Sequence, residues 1–296
     1  MTTLPRIGFI GIGFMGHGMA GRILGKGYPL TVMAHRKREL VDDLVKRGAK
    51  EVRTPADVAR ASDIVFLCVT ASPQVEAIVR GAQGLTAGGR KGLIIVDCTT
   101  ANPVSTMALA AELAPLGIAF ADAPLGGTPS NAAEGTLSSM VGAAPEVFET
   151  IKPVIAAFAA KTVHLGAPGL GHKMKLLNNF LSMGYAAIYS EALAMGAKSG
   201  ISAQVFDSVV RGGRMDCGFY QTFFTYVLKR DRNAHKFTLT NALKDARYIE
   251  AMANDAGVAN TVGAAVKNSF AAAVHAGKGD EFVPMLSDFV LKANGG

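Results

Sequence analysis

The chain has 296 residues, of which 49% are hydrophobic and 18% charged, and its formal net charge is +7. This composition excludes a disordered protein, and the length is enough for two domains with buried cores. The basic residues are scattered and not interleaved with aromatic side chains, so we expect no nucleic-acid partner.

Short apolar runs, typical of buried strands, alternate with helix-like segments through the first half of the chain. The runs cover residues 6–10, 30–34, 64–69, 93–97, 118–122, 137–141 and 162–165, and the helix-like segments include 37–47, 103–116 and 145–160. Near-continuous apolar strands alternating with helices indicate a mostly parallel sheet covered on both faces.

The second half contains no further strand pattern. The segment "GAPGLG" at 166–171 breaks the alternation, and one long helical pattern follows from about 173 to 199, where Gly200 ends it. We therefore predict an α/β protein. An N-terminal Rossmann domain with a mostly parallel sheet, residues 1–165, precedes an all-α domain, residues 166–296, which begins with a long interdomain helix and supports substrate binding and oligomerisation.

A glycine-rich turn follows the first apolar run, in "RIGFIGIGFMGHGMAGRIL". Gly11, Gly13 and Gly16 form the pattern G-x-G-x-x-G between a strand and a helix. In dinucleotide-binding folds the three glycines permit the tight turn, the approach of the pyrophosphate and close helix packing. The alternative is an ordinary glycine turn. We favour a dinucleotide site that also includes Phe14 and Met15.

The end of the second apolar run discriminates between the two nicotinamide dinucleotides. In "LTVMAHRKREL", Ala34 stands where an acidic residue would bind the ribose hydroxyl of NAD, and His35, Arg36 and Arg38 follow. Guanidinium groups bind a 2′-phosphate. We therefore predict NADP, with NAD as the alternative cofactor. If these basic residues bind no ligand, they are the solvated start of a helix.

Loops after later strands should line the same crevice at the carboxyl ends of the strands. They read "VTASPQ" (69–74), "DCTTANP" (97–103) and "DAPLGGTPSNAAEGTL" (122–137). Their small polar residues suit a nicotinamide and substrate floor, and we assign Val69 and Thr70 to the cofactor.

A narrow polar stripe runs along the long predicted helix. Lys175, Asn178, Asn179 and Ser182 share it, whereas apolar residues, Leu177, Leu181 and Ile188 among them, occupy the rest of the surface. A helix that is apolar nearly all round should be buried, and a lone buried cation is costly. A snorkelling lysine is one explanation. The other is a lysine that faces a polar substrate and exchanges a proton with it.

Four segments in order resemble the β-hydroxyacid dehydrogenase family, typified by 3-hydroxyisobutyrate dehydrogenase. They are "FIGIGFMGHGMAGRIL", "DAPLGGTPSNAAEGTLSSMVG", "GAPGLGHKMKLLNN" and "FTLTNALKDARY", and the wording of the second and third is similar to the sulfolactaldehyde reductase branch. The resemblance spans the whole chain. It implies that Lys175 is catalytic, that Asn179 holds substrate, that Thr100 lies by the nicotinamide, and that Lys244, beside Asp245, approaches the cofactor.

Two departures from the family pattern concern the substrate loop. Where the family reads D-A-P-V-S-G-G, Gly126 replaces the serine that helps to bind a carboxylate, and Thr128 replaces the last glycine. Gly127 stands where the sulfolactaldehyde branch has an arginine. We therefore expect 3-hydroxyisobutyrate and sulfolactaldehyde to be poor substrates and Gly127→Arg to improve them. Arg214 could supply an acid-binding cation instead, or form a surface salt bridge.

Other polar groups have weaker signals. His164 and His172 flank the domain junction without an evident carboxylate partner, so a structural or surface role is expected. Three cysteines without zinc spacing predict reduced thiols and no metal site. The apolar start lacks a cleavage site, and the uncharged stretch 176–190 is too short to span a bilayer, so we expect a cytoplasmic protein with no membrane partner.

Together these features predict an NADP-dependent oxidoreductase that interconverts a small β-hydroxyacid, or a related short alcohol, with its aldehyde or ketone. We expect a homodimer or homotetramer. The alternatives are an imine reductase-like enzyme, which usually carries Asp or Tyr in place of Lys175, and a catalytically inactive cofactor-binding protein.

Overall fold

The structure of the chain is a computed structural model, and it describes residues 4–34 and 38–296. These residues divide into two compact units, Met1–Lys175 and Leu176–Gly296. The first unit contains the sheet and the start of the long helix, and the second consists of helices around a core of its own.

The described residues of the first unit form nine strands, most of them short and buried. They are β1 Ile7–Ile10, β2 Leu30–Met33, β3 Lys50–Val52, β4 Ile64–Leu67, β5 Ile94–Asp97, β6 Ala119–Asp122, β7 Leu125–Gly126, β8 Leu137–Gly142 and β9 Ala159–Gly166. The order β3-β2-β1-β4-β5-β6 is parallel throughout. Strands β6 and β7 pair antiparallel with β8, and β9 pairs parallel with β8. The predicted mostly parallel sheet is confirmed.

Both faces of this sheet are covered, as the near-continuous apolar strands predict. Phe9 and Phe66 belong to one buried core, whereas Val65, Leu67 and Ile95 belong to another. Neighbouring residues of β4 thus enter different cores, because successive side chains of a strand point to opposite faces. The helices of the first unit are α1 Phe14–Gly25, α2 Glu39–Lys46, α3 Pro55–Ala61, α4 Ser72–Arg80, α5 Leu85–Gly88, α6 Pro103–Leu113, α7 Pro129–Glu134 and α8 Pro145–Ile155, with a 3₁₀ turn at Ala114–Leu116.

Prolines mark several helix starts, where the missing N–H costs nothing. Pro103, Pro129 and Pro145 each lie in a first turn. The sequence prediction was wrong at the other end of α8. This helix ends at Ile155, and residues 159 and 160 already belong to β9, because the pairing of Ala159 with Leu137 replaces the helical hydrogen bonds. Strands β3 and β7 were not predicted, since they have only three and two residues.

Helix α9, Leu170–Lys198, starts in the first unit and continues into the second. The other helices of the second unit are α10 Ala203–Val210, α11 Gly218–Lys229, α12 Leu239–Asp255, α13 Thr261–Ala273 and α14 Leu286–Ala293, with a π turn at Val274–Lys278 and a 3₁₀ turn at Val283–Met285. Their core is rich in aromatic side chains, of which Tyr220, Phe223, Phe224 and Phe270 are fully buried.

The expectation that α9 is buried nearly all round is wrong for a single chain. Leu177, Leu181 and Ile188 expose 48%, 59% and 60% of their surface, and Met195 exposes 64%. At 100° per residue these four positions lie within about 40° of one another on the helix. We call them the α9 stripe. An exposed apolar stripe of this kind is typical of an interaction surface.

Candidate active site

The glycine-rich turn between β1 and α1 has the geometry that a dinucleotide requires. Gly11 has φ +101°, and a Cβ there would lie 2.2 Å from the Cys68 carbonyl oxygen. A Cβ at Gly16 would lie 2.0 Å from the Gly11 carbonyl oxygen, so only glycine allows this close helix packing. At Gly13, by contrast, a Cβ would meet no atom within 4 Å. Gly13 thus borders open space at the helix end.

The start of α1 is suited to an anion. Gly13 is the N-cap and provides no side-chain acceptor, and no acidic residue lies in the first turn. Gly13 and Phe14 are exposed, Met15 is half-buried, and Gly16 is buried. The first amides of a helix are outside its internal hydrogen bonds, and the helix dipole favours negative charge there. The described residues therefore fit the pyrophosphate of a nicotinamide dinucleotide.

The basic segment after β2 is only partly described. Ala34 follows the strand, whereas His35 and Arg36 lie outside the described residues. Arg38 forms a bidentate pair with Glu51, with nitrogen–oxygen distances of 3.0 and 2.7 Å, and also pairs with Asp42 at 3.2 Å. Hydrogen bonding to Arg38 lowers the pKa of Glu51, so the pair stays charged at neutral pH. A 2′-phosphate would have to compete with Glu51 for Arg38.

Two strand-end loops of the predicted nicotinamide floor are tied together by Thr99. Its hydroxyl accepts a hydrogen bond from the Val69 amide at 3.1 Å, and its own amide donates to Asp97 Oδ1 at 2.9 Å. Thr70 is exposed and Thr100 is half-buried in these loops. Hydrogen bonds of Thr99 thus connect the loops after β4 and β5, which lie at the same edge of the parallel sheet.

Asp122, at the end of β6, holds the start of α9. Its carboxylate accepts hydrogen bonds from the amides of Gly169 and His172, both at 2.6 Å, and the side chain is fully buried. A Cβ at Gly142 or Gly171 would come within 2.5 or 2.7 Å of this carboxylate. Glycine at both positions lets the helix start approach the sheet edge, where the carboxylate complements the helix dipole.

His172 lies in a buried polar cluster that the sequence did not reveal. Its Nε2 is 2.8 Å from the Thr99 carbonyl oxygen, and its Nδ1 is 2.7 Å from Thr106 Oγ1. Carboxylate oxygens of Asp97 and Asp122 lie 3.9 and 3.7 Å from the ring nitrogens. Burial raises the pKa of Asp97, and the nearby His172 acts in the opposite direction. These carboxylates were not evident in the sequence, because the sheet topology brings together groups that are distant along the chain. The buried ring has a structural role, one of the two roles expected for it.

His164, the other junction histidine, is separate from this cluster. Its Nε2 hydrogen bonds to the Ala143 carbonyl oxygen at 2.8 Å, and its ring stacks on Phe148 with a centroid distance of 4.3 Å. These contacts give His164 the structural role that was expected.

Lys175 lies about one helical turn after His172, on the part of α9 that belongs to the first unit, and its side chain is half-buried. The glycine-rich turn, the Thr70 and Thr100 loops and Lys175 are therefore all carried by the same compact unit. This arrangement combines a cradle for a dinucleotide with a side chain that can exchange a proton.

The second unit holds a hydrogen-bonded series of three predicted site residues. The Asn179 amide nitrogen donates to Asp245 Oδ2 at 2.7 Å, and Lys244 Nζ lies 3.1 Å from Asp245 Oδ1. Asn179 and Asp245 are buried, whereas the Lys244 side chain is 19% exposed. The "NALKD" segment thus brings α12 into contact with the polar stripe of α9.

The substrate loop carries Gly126, Gly127 and Thr128. A Cβ at Gly126 would lie 2.5 Å from Ser138 Oγ on the paired strand β8. Gly127 has φ +124°, a conformation that side-chain-bearing residues rarely adopt, and a Cβ there would lie 2.8 Å from Leu137. Thr128 caps α7 through Asn131. This geometry argues against the expected gain from Gly127→Arg, because arginine would occupy this backbone conformation only with strain.

Arg214 lies exposed in the segment between α10 and α11. The neighbouring Arg211 pairs with Asp207 through two hydrogen bonds of 2.8 and 2.9 Å, and Tyr220 donates to the same carboxylate. Arg211 therefore has a structural role in the second unit, and Arg214 remains the candidate for binding an acid group.

Within residues 4–34 and 38–296, none of the helices combines the length and apolar character needed to cross a bilayer. The same ranges contain no group of three or more His, Cys, Asp and Glu side chains arranged to bind a metal ion.

Family models match nearly the whole chain. The model for the NAD-binding domain of 6-phosphogluconate dehydrogenase matches residues 6–166, and the model for the NAD-binding region of NADP-dependent 3-hydroxyisobutyrate dehydrogenase matches residues 169–286. With the glycine cradle, these matches define an oxidoreductase with a nicotinamide-dinucleotide-binding domain.

Similar proteins show which family of oxidoreductases the chain belongs to. The chain is 36% identical to 2-(hydroxymethyl)glutarate dehydrogenase of Eubacterium barkeri over 71% of this chain and 69% of that protein. It is 33% identical to 2-hydroxy-3-oxopropionate reductase of Escherichia coli over 82% and 85%, and 29% identical to 3-sulfolactaldehyde reductase of the same organism over 93% and 92%. The chain belongs to the β-hydroxyacid dehydrogenase family.

Solved structures agree with the fold. The structure of Mycobacterium tuberculosis 3-hydroxyisobutyrate dehydrogenase with L-serine matches 97% of this chain and 99% of its own, with a TM-score of 0.87 at 22% identity. An imine reductase of Streptomyces aurantiacus matches 96% and 99% with a TM-score of 0.63, also at 22% identity. Both share the architecture of a Rossmann domain followed by helices.

Proposed function

We propose that the protein is an NADP-dependent dehydrogenase or reductase that interconverts a small β-hydroxyacid, or a related short alcohol, with its aldehyde or ketone. The observation that carries this proposal is the position of Lys175. The buried Asp122 anchors the start of its helix at the same sheet edge that presents the Thr70 and Thr100 loops.

Lys175 is the proposed proton donor and acceptor. A bound nicotinamide supplies or accepts hydride. The Lys175 ammonium hydrogen bonds to the substrate carbonyl oxygen and donates its proton as the alcohol forms, and in the reverse direction the amine accepts the hydroxyl proton. The Lys175 side chain is half-buried, so it is partly shielded from bulk water where it would meet a substrate.

Asn179 and Lys244 are proposed to assist through their shared partner Asp245. Because the Asn179 amide nitrogen donates to Asp245, its amide oxygen is oriented as an acceptor for a substrate hydroxyl. Lys244, which contacts the other carboxylate oxygen, places a positive charge for the cofactor. Asp245 thus orients one group for substrate and one for the dinucleotide.

The preference for NADP over NAD is part of this proposal. The absence of an acidic side chain at Ala34 and the basic sequence that follows favour a 2′-phosphate. Because Arg38 is paired with Glu51, we propose Arg36 as the main contact for the phosphate, supported by His35.

The substrate loop favours a compound that does not depend on a serine or arginine there. Gly126 and Gly127 offer only backbone groups, and the amide and hydroxyl of Thr128 are already bonded to Asn131. We therefore expect 3-hydroxyisobutyrate and sulfolactaldehyde to be poor substrates. A bulkier or less charged carbonyl compound fits better, unless Arg214, exposed in its loop, binds the acid group.

A second candidate is an imine reductase-like enzyme, which the shared fold favours. Lys175 argues for the first candidate, because those enzymes usually have Asp or Tyr at this position. A catalytically inactive cofactor-binding protein would not need the lysine. We further propose a homodimer or homotetramer, on the basis of the exposed α9 stripe, and a cytoplasmic location.

A substrate panel tests these proposals. The purified protein is assayed with NADPH and NADH against 2-hydroxy-3-oxopropionate, 3-sulfolactaldehyde, a cyclic imine and short semialdehydes, and with NADP and NAD against L-serine, 3-hydroxyisobutyrate and 2-(hydroxymethyl)glutarate. Turnover of an aldehyde or hydroxyacid is the expected result. Turnover of the imine alone would support the second candidate, and tight NADPH binding without any turnover would support the inactive protein.

A further inference from the structure

We propose that His172 is a positioning residue, which holds Lys175 at a fixed place relative to the loops after β4 and β5. The inference rests on the proposed function, in which Lys175 exchanges the proton with substrate. It assigns a role to a buried imidazole that touches neither the proposed substrate groups nor the glycine-rich turn.

The ring of His172 connects two elements directly. Because the Thr99 carbonyl can only accept, Nε2 carries the proton and donates to it at 2.8 Å. Nδ1 meets the Thr106 hydroxyl of α6 at 2.7 Å. The ring is fully buried. A buried histidine with partners on both nitrogens has a single orientation, since any other would leave polar groups unpaired.

On the loop side, the contact reaches the proposed nicotinamide floor. Thr99 precedes Thr100 in the chain, and its hydroxyl accepts from the Val69 amide next to Thr70. A shift of Thr99 would therefore move both loops. The hydrogen bond from His172 to the Thr99 carbonyl therefore holds both loops in place.

On the helix side, His172 is part of the first turn of α9. Its backbone amide donates to the buried Asp122, and Lys175 follows three residues later on a neighbouring part of the helix surface. The imidazole thus joins the helix that carries the proton donor to the loop beside the proposed nicotinamide. Misplacement of a reacting group by about 1 Å can cost on the order of 10²-fold in rate.

Two substitutions that introduce a side-chain amide distinguish the hydrogen bond at Nε2 of His172 from the one at Nδ1. The side-chain nitrogen that His172→Gln introduces can reach the position of Nε2 and keep the donor to Thr99. The shorter side chain in His172→Asn can reach only the position of Nδ1 and loses that donor. His164→Asn is the matched control, because His164 also hydrogen bonds to a backbone carbonyl of the first unit but not to these loops.

The kinetic experiment measures kcat and KM with NADPH and 2-hydroxy-3-oxopropionate, together with NADPH affinity by fluorescence. For His172→Asn we expect kcat to fall roughly 10- to 100-fold, with NADPH affinity and KM nearly unchanged. His172→Gln should recover most of kcat, and His164→Asn should keep it. Equal kcat for all three variants, or equal losses in the Gln and Asn variants, would overturn the inference.

A double-mutant cycle asks whether His172 acts through Lys175. If it does, His172→Asn should not slow the Lys175→Ala protein further. A further loss of the same size in that background would overturn the positioning role. Full activity of Lys175→Ala alone would instead overturn the proposed function and the inference with it, so the two failures are distinguishable.

Hydrogen exchange provides a readout that needs no substrate. His172→Asn should speed amide exchange in residues 98–101 and in 169–175, whereas His172→Gln should leave 98–101 protected. Unchanged exchange at 98–101 in the Asn variant would show that the bond to Thr99 does not hold the loop.

Discussion

The amide of Asn179 donates a 2.7 Å hydrogen bond to the carboxylate of Asp245, and both side chains are buried. This contact joins α9 to α12 within the second unit, and Lys244 contacts the other oxygen of the same carboxylate. It explains why the long helix carries an amide on a buried surface.

We expect Asn179→Ala to lower the free energy of unfolding by about 1–3 kcal/mol, because the buried Asp245 loses a donor. Asn179→Asp is the isosteric comparison. It places two carboxylates together, which raises the pKa of one of them in the folded state. Since the unfolded state releases that proton more readily, the variant should lose stability as pH rises from about 5 to about 8. Urea denaturation at both pH values measures the effect; a pH-independent loss would contradict it.

Lys175→Ala should reduce kcat by about 10²- to 10⁴-fold, the usual contribution of a positioned proton donor. The affinity for NADPH should stay nearly the same, because the pyrophosphate cradle lies at Gly11–Gly16, on another element. Steady-state rates and fluorescence titration measure the two quantities. Lys173→Ala, on a different side of the helix, is the control and should retain full activity. Loss of NADPH binding in Lys175→Ala would contradict the assigned role.

Substitutions at two positions of the glycine-rich turn should have different effects on protein stability and on NADPH binding. Gly13→Ala should keep the stability within about 1 kcal/mol, since its Cβ meets only open space, but should weaken NADPH binding because that space receives the pyrophosphate. Gly16→Ala should instead destabilise the protein by about 1–3 kcal/mol, because its Cβ meets the Gly11 carbonyl. Thermal unfolding measures the stability of both variants, and fluorescence titration measures their NADPH affinity. Unaltered NADPH affinity in a folded Gly13→Ala protein would contradict the proposed cofactor position.

The cofactor preference depends on how the basic residues after β2 are used. Arg36→Ala should weaken NADPH binding more than NADH binding, and Arg38→Ala should have a smaller effect because Arg38 is paired with Glu51. Glu51→Gln should leave Arg38 with Asp42 as its one acidic partner in the described residues, and so hold it less firmly and tighten NADPH binding. Dissociation constants for both cofactors test this, with Arg53→Ala as a control for net charge. Equal Michaelis constants of the unmodified enzyme for NADPH and NADH would refute the preference itself.

The α9 stripe predicts association between copies of the chain. Replacing Leu181 and Ile188 by glutamate should shift the protein toward the monomer, because burying a carboxylate in an apolar interface is costly. Light scattering coupled to size-exclusion chromatography measures the mass. Val262→Glu, at a position 61% exposed in another helix, is the matched control and should leave the mass unaltered. An unmodified protein that is monomeric at all concentrations would contradict the proposed oligomer.

Local sequence patterns were enough to predict the layout of the first unit and the glycine-rich turn between β1 and α1. Short apolar runs and a glycine triplet between strand and helix are local signals, because they depend on backbone sterics and on burial of neighbouring residues. For the same reason the short strands β3 and β7 and the end of α8 were missed, since strand pairing between distant segments decides them.

The pairing of the polar groups could not be predicted before the fold was known. Asp97, Asp122 and His172 come from two strand ends and a helix start, and nothing in their spacing places them together. The engagement of Arg38 by Glu51 and the positive φ of Gly127 were equally hidden. Electrostatic pairing acts through space, so the fold must first bring the strand ends to one edge of the sheet before such contacts exist.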